Sequence, residues 1–277
     1  MEGNLPMNEL LMNLYHQSLS ILPVTSNLSS QQRYKLHSQI TNNCGNLFIQ
    51  SKYTSTAIHL LIQSSQNILV HLNPSKSNLE AENSSVYNLA LALLSKKNYS
   101  EAWKALMLVN FEENIELQSM LWYRRGECAL ALYELEKKSK YEPIKVVGKG
   151  VYRRFMIDCD DLNGKNSWIY VLSSCIGACL ACIQVAVYER TPSSSECEFM
   201  LRRTQVYALI LLQYAQVILK NNEMVIEIGN ILKEMKKLKV NEGLISDSQM
   251  ISSSLYVCES YFNLHRNENA QNELEHS

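Results

Sequence analysis

At 277 residues the chain is long enough for one or two cored domains, and 46 % hydrophobic residues supply the apolar surface to fill them. Nine Gly and five Pro are too few for the turns of an all-β protein, and a net charge of −1, from 26 basic and 27 acidic residues, offers no field for nucleic acid or an anionic membrane. Eight cysteines, most of them inside apolar runs, fit a reducing compartment rather than a disulfide-framed secreted domain.

Met1 to Glu9 has no basic region followed by an apolar core, so no signal peptide is expected. Met7 to Ile21 spaces Leu10, Leu11, Leu14 and Tyr15 as a helix closed by Pro23, placed as the cap of a helical array. Ser30 to Ser51, with Leu36, Ile40, Gly45 and Phe48, predicts a second helix; Ala57, Leu61 and Ser64 predict a third, running to about Leu72. The polar Pro74 to Asn83 stretch reads as a loop. From Ser84, Val86, Leu89, Ala90 and Leu93, then Tyr99, Ala102, Leu106 and Val109, mark two short amphipathic helices around a turn at Ser95 to Asn98.

That pair resembles a tetratricopeptide repeat, in which small residues such as Ala90 and Ala102 let two helices cross closely and an aromatic such as Tyr99 plugs the turn. Gly45 and Ala57 show the same twelve-residue interval, and Trp122, Gly126 and Ala129 repeat Val86, Ala90 and Leu93 after 36 residues. The family period is about 34. Ile115 to Leu135 supplies the next first helix, but Glu136 to Asn166 interrupts, with β-leaning Ile144 to Val147 and Val151 to Ile157 around Gly148-Lys149-Gly150. The partner helix is delayed to about Trp168, with Ala178, Cys182 and Val185 at its crossing and packing positions. Glu196 to Lys220 pairs with Asn222 to Lys239, Gln213 and Val225 standing for the small residues; Asp247 to Leu264 then pairs with Asn267 to His276 through Cys258, Tyr261 and Ala270. One hairpin cannot bury its apolar face alone. The expectation is therefore an all-α chain, a right-handed solenoid of about five hairpins over residues 1–277, the third split by a β-like insertion at 136–166.

Catalytic patterns are missing from this sequence. Gly148-Lys149-Gly150 lacks the spacing of a Walker loop, and Arg153 stands where a kinase loop needs a third glycine. Cys175, Cys179 and Cys182 share one helical face, but without a nearby fourth ligand they read as small apolar packing residues rather than a metal site. No GxSxG or HExxH motif occurs, so neither an enzyme nor a cofactor is expected. Trp168 to Tyr188 runs 21 residues without a formal charge, enough to span a bilayer, yet Ser173, Ser174, Gln184 and its amphipathic neighbours favour the middle of a helical array. The pairs Arg124-Arg125, Arg153-Arg154 and Arg202-Arg203 read as solvated faces or local ion pairs, with a phosphate or acidic-peptide contact as the alternative.

Three segments carry a closer resemblance: YNLALALLSKKNYSEAWKAL, LWYRRGECALAL and VVGKGVYRRFMI. Together they resemble the subunit-ten family of the CCR-NOT deadenylase complex, through Leu121, Trp122, Arg124, Glu127 and Cys128 in one motif and Gly148, Gly150 and Arg153 in another. The closing YVCESYFNLHRNENAQNEL extends the similarity over roughly Val86 to Glu273. The resemblance implies a non-catalytic scaffold, cytoplasmic and nuclear, that docks with subunit eleven on the amino-terminal region of the large Not scaffold subunit. Its role would be in messenger RNA deadenylation, decay and translational repression, without direct nucleic-acid or membrane contact. The expected protein-binding residues are Asn88, Tyr123, Arg124 and Glu127 on the groove, Asn46 beside them, and Tyr152 and Arg153 in the insertion, with Trp103 as a further anchor. A repeat-type co-chaperone clamping a peptide carboxylate through Asn46, Asn88 and Arg124 is the alternative, and a membrane-anchored adaptor a more distant one.

Overall fold

The computed structural model describes residues 7–21, 28–71, 76–111, 113–140, 145–147, 154–156, 168–238 and 243–275. The described residues are mostly α-helical and the fold is all-α. The chain divides into two compact units, Met1–Phe111 and Glu112–Ser277.

The first unit holds α1 (Met7–Ile21), α2 (Ser30–Gln50), α3 (Thr54–His71), α4 (Lys76–Ser95) and α5 (Tyr99–Leu108). Each packs on the next, and α2 also touches α4. Helix α4 corrects the sequence reading, because it begins eight residues before the predicted Ser84 and absorbs most of the expected loop. Leu79, Glu80, Ala81 and Glu82 are good helix formers with no Gly or Pro among them, which outweighs the polar Ser and Asn around them. Leu11, Tyr15, Phe48, Ala57 and Leu60 form one buried cluster. Beside it runs a buried polar seam: the Ser38 and Ser64 hydroxyls lie 2.8 Å apart, and Ser64 reaches the Ser85 hydroxyl at 3.1 Å, tying α2, α3 and α4 together.

The second unit holds α6 (Ile115–Lys140), β1 (Lys145–Val147), β2 (Arg154–Met156), α7 (Trp168–Gln184), α8 (Ser195–Ile218), α9 (Asn222–Lys237), α10 (Asp247–Asn263) and α11 (Asn267–Glu275). The two three-residue strands pair antiparallel, Val146 opposite Phe155. Consecutive helices pack on one another from α6 to α11, and α8 touches both α6 and α10. Val206, Leu209, Ile228, Leu232, Leu244 and Ile245 form the buried centre of α8, α9 and the segment before α10.

One turn recurs through both units. The pairs α2/α3, α4/α5, α8/α9 and α10/α11 are each joined by three residues, of which the second has positive φ: Lys52 (66°), Lys97 (62°), Lys220 (58°) and His265 (60°). Behind each left-handed residue the next amide closes a six-residue ring onto the ending helix, Tyr53 to Phe48 at 2.8 Å and Asn98 to Leu93, Asn221 to Gln216 and Arg266 to Tyr261 each at 2.9 Å. This is the Schellman ending, which satisfies carbonyls a helix would otherwise leave bare. Every turn lies seven residues after Gly45, Ala90, Gln213 or Cys258 and five before Ala57, Ala102, Val225 or Ala270. These residues meet across the hairpin: the Gln213 amide donates to the Val225 carbonyl at 3.1 Å, Cys258 Sγ to the Ala270 carbonyl at 3.5 Å, and Ala90 and Ala102 are wholly buried. A non-glycine residue in the left-handed region costs about 1–2 kcal/mol. Exposed Lys97 makes the test clean: Lys97→Gly is expected to raise the urea midpoint, a gain of about 0.5–1 kcal/mol after glycine's own entropy cost.

The pair α6/α7 lacks this turn but crosses just as closely. A Cβ on Gly126 would fall 2.5 Å from Ile176 Cδ1 and 3.5 Å from Leu172 Cδ1, so α7 lies directly on the α6 backbone. The buried face of α7 is Ile169, Leu172, Cys175, Ile176, Cys179 and Ile183. Ala178, Cys182 and Val185, expected at the crossing, are only half-buried. The correction has a simple cause: α7 is wedged between α6 and α8, and the larger branched side chains take the more enclosed face.

Among the described residues, Trp168–Glu189 is the helical stretch long and apolar enough to cross a membrane, with mean hydropathy 2.0 and 39 % of its most apolar window buried. Its outward line reads Tyr170, Ser174, Gly177, Ala181, Gln184 and Tyr188. After a wide final turn, Val185–Glu189, the chain is held where the Ser193 amide and hydroxyl donate to Glu116 at 3.0 and 3.2 Å.

Candidate functional site

The predicted protein-binding residues fall into three groups. Asn88 belongs to the first unit, half-buried on α4, where its amide donates to the Asn42 side chain on α2 at 3.0 Å. Asn46 sits one turn further along α2, also half-buried. Tyr123, Arg124 and Glu127 lie together on α6 in the second unit. The insertion pair Tyr152 and Arg153, with Gly148 and Gly150, lies outside the described residues.

Helix geometry explains the α6 cluster. Arg124 and Glu127 are three residues apart, neighbours on the helix surface, and form an ion pair. The Arg124 guanidinium also stands 5.6 Å from the Tyr123 ring centre. Burial, then the charge of Glu127, raises the pKa of the Tyr123 phenol, which stays a neutral hydrogen-bonding group throughout the physiological range. A smaller contribution comes from Tyr207 on α8, so the cluster continues onto the next helix. Further along the same two helices, the Tyr214 hydroxyl donates to Glu134 at 2.8 Å, and the Tyr214 ring lies 6.1 Å from Tyr256 on α10. Helices α6, α8 and α10 therefore share a face rich in tyrosine, with charged groups between the rings.

The neighbouring residue on α6 turns the other way. Arg125 is 6 % exposed and lies 4.4 Å over the Trp122 ring, so the first of the arginine pairs divides into one surface ion pair and one buried cation on an aromatic face. Around it are Cys128, Cys175 and Cys179, all buried. Burial pushes the Cys128 thiol up to about 12, Cys175 to about 11 and Cys179 to about 12, so none is a thiolate near neutrality. They behave as small packing residues, and no group of three or more metal-ligating side chains gathers among the described residues.

A second feature of this face involves Arg203, whose pair with Arg202 the sequence offers as solvated, ion-paired or, alternatively, in contact with a phosphate or an acidic peptide. On α8, Phe199, Arg203 and Tyr207 follow one another at four-residue intervals and form one wall of an open pocket of about 520 Å³. Ser246, Ser248 and Gln249, at the start of α10, form the opposite wall, and Leu244 lines it between them. Its spacing on α8 is readable in the sequence; the facing serines come from about 40 residues downstream, and only packing brings them near.

The arrangement as a whole places polar and aromatic groups side by side on α6 and α8. It brings together no nucleophile with a base, and no pair of carboxylates in an apolar setting, among the described residues. No protein-family model matches this chain, and no curated protein is significantly similar to it.

Proposed function

We propose that this protein is a docking subunit built of stacked helical hairpins, a right-handed tetratricopeptide-type solenoid whose third hairpin is split by the β-like insertion at 136–166. The observation that carries the reading is the turn repeated at Lys52, Lys97, Lys220 and His265, each at the same distance from its two crossing residues. Identical turns at fixed register are what a repeat array requires and what a catalytic fold has no reason to keep. Binding energy on such a face comes from aromatic and arginine anchors, and Tyr123, Arg124 and Tyr207 supply both types on adjacent helices.

The specific assembly rests on the sequence resemblance. The chain would serve in a CCR-NOT-type deadenylase complex, binding the amino-terminal region of the large Not scaffold subunit together with subunit eleven, in messenger RNA decay and translational repression. Affinity purification of the tagged full chain from its own cells, read by mass spectrometry, is expected to recover that scaffold subunit at near-stoichiometric levels. Recovery of a chaperone bound through its carboxyl-terminal peptide, with no scaffold subunit, would replace this reading by the co-chaperone one. The pairing of Arg124 with Glu127 weighs against the latter, because a carboxylate clamp needs that guanidinium free.

A further inference from the structure

The pocket between α8 and the start of α10 contains a cationic side chain, Arg203, that pairs with no carboxylate among the described residues. Arg202, its neighbour, pairs with Glu198 at 2.8 Å, and Lys236 pairs with Asp247 at 2.7 Å. Among the described residues no carboxylate pairs with Arg203. Its guanidinium is instead held by its own helix: Nε and Nη2 donate to the Tyr207 hydroxyl at 3.4 and 3.3 Å, and the group stands 5.6 Å from the Tyr207 ring centre. A phenol accepts from the guanidinium without neutralising it. Arg203 is thus oriented, without an ion pair among the described residues, on the wall of a cavity of about 520 Å³.

The rest of the lining defines what could complete it. Opposite stand the hydroxyls of Ser246 and Ser248, 3.0 Å apart. The first turn of α10 is already capped, Ser246 and Gln249 bonding reciprocally, so the wall offers hydroxyl groups rather than a bare helix end. One turn of α8 before Arg203, Phe199 is 47 % exposed and offers an apolar platform next to the cation. A single guanidinium matches a single negative charge, and Asp247, in sequence between the two lining serines and 91 % exposed in its side chain, disfavours a dianion such as phosphate.

We propose that this pocket receives the side-chain carboxylate of an aspartate or glutamate in an extended peptide segment of a partner protein, with an adjacent apolar residue of that segment resting on Phe199. The carboxylate accepts from the Arg203 guanidinium in a charge-assisted pair, and the Ser248 hydroxyl, turned away from Ser246, donates to a remaining lone pair, while the Ser246 hydroxyl stays on Gln249. This deepens the docking reading and rests on it, but it requires no other subunit of any complex.

The test uses the purified full chain, immobilised, and blocked hexapeptide pools with a fixed Phe beside one position set as Glu, Gln or phosphoserine, all others randomised. The Glu pool is expected to be retained about tenfold above the Gln pool on the unaltered protein, the usual margin of one charge-assisted hydrogen-bonded pair. That ratio should fall to about one on Arg203→Gln and stay unchanged on Arg202→Gln, whose guanidinium already belongs to Glu198. Tyr207→Phe, which removes the acceptor that orients Arg203 but keeps the ring, should reduce it severalfold. Arg203 is exposed, so its replacement is expected to leave the melting curve unchanged. No retention of any pool, a Glu-to-Gln ratio on Arg203→Gln equal to that of the unaltered protein, or phosphoserine retained above Glu would each overturn the proposal. A failure here leaves the affinity purification untouched, and the converse holds.

Discussion

An aspartate introduced at Ile176 is expected to unfold the second unit, while one introduced at Ala181, on the same helix, changes stability by less than about 1 kcal/mol. Ile176 is fully buried, its side chain lying on the α6 backbone at Gly126; a carboxylate there has no partner and no water. An uncompensated buried charge costs about 3–5 kcal/mol even after relaxation, a large part of the stability of any domain. Ala181 is exposed, and aspartate there loses only helix propensity. Urea titration of the purified variants separates the two. The comparison also decides the nature of α7, since a helix surrounded by lipid would be damaged by a carboxylate on either side, at about 2.5–3.5 kcal/mol each. Equal sensitivity at both positions would remove α7 from between α6 and α8.

The second large effect is at Gly229 on α9. A Cβ there would run into Val257 Cγ2 on α10 and come within 3.2 Å of Gln213 Nε2 on α8, and both neighbours are at most 1 % exposed. Three helices meet at a point with no room for a methyl group. Gly229→Leu is therefore expected to cost about 3 kcal/mol, against the roughly 1 kcal/mol that a glycine replacement gains in an unconstrained helix. The diagnostic form is a double-mutant cycle. Gly229→Ala and Val257→Ala should each destabilise, whereas the pair together should cost about as much as Val257→Ala alone, because the new methyl occupies the space the valine vacates. Additive losses would mean that α9 and α10 do not approach one another at this point.

Much of this architecture can be read directly from the residues, for reasons that differ between elements. The interval from Gly45 to Ala57, repeated at Ala90 to Ala102 and Cys258 to Ala270, encodes a contact across a short turn, so both partners lie within one window of sequence. Even the Gln213 to Val225 pair, with no small residue, obeys that interval; the structure shows how, since the glutamine amide reaches the Val225 and Ser253 carbonyls and ties α8 to both following helices. The start of α4 is hidden because Ser and Asn favour turns in short windows, a weak preference that neighbouring helices override. The buried face of α7 is hidden because nearly every residue there is apolar and no periodicity marks one side. For the site, Tyr123, Arg124 and Glu127 cluster as their spacing on one helix dictates. Of the Arg203 pocket only the Arg202-Arg203 pair is legible, since an arginine bonded to its own helix's tyrosine looks like any solvated surface until the serines of α10 are placed across from it.

The missing turn between α6 and α7 bears on how the protein assembles. Four hairpins close over three residues, but α6 and α7 are separated by residues 141–167, and closing that longer span costs about 2 kcal/mol more in chain entropy. Contacts that are local in sequence form early, and distant ones wait. As the chain leaves the ribosome, α6 is therefore made well before its companion, its Gly126 groove open until Ile176 arrives. The length of the 141–167 span therefore sets how long the apolar surface around Gly126 waits for its cover during synthesis.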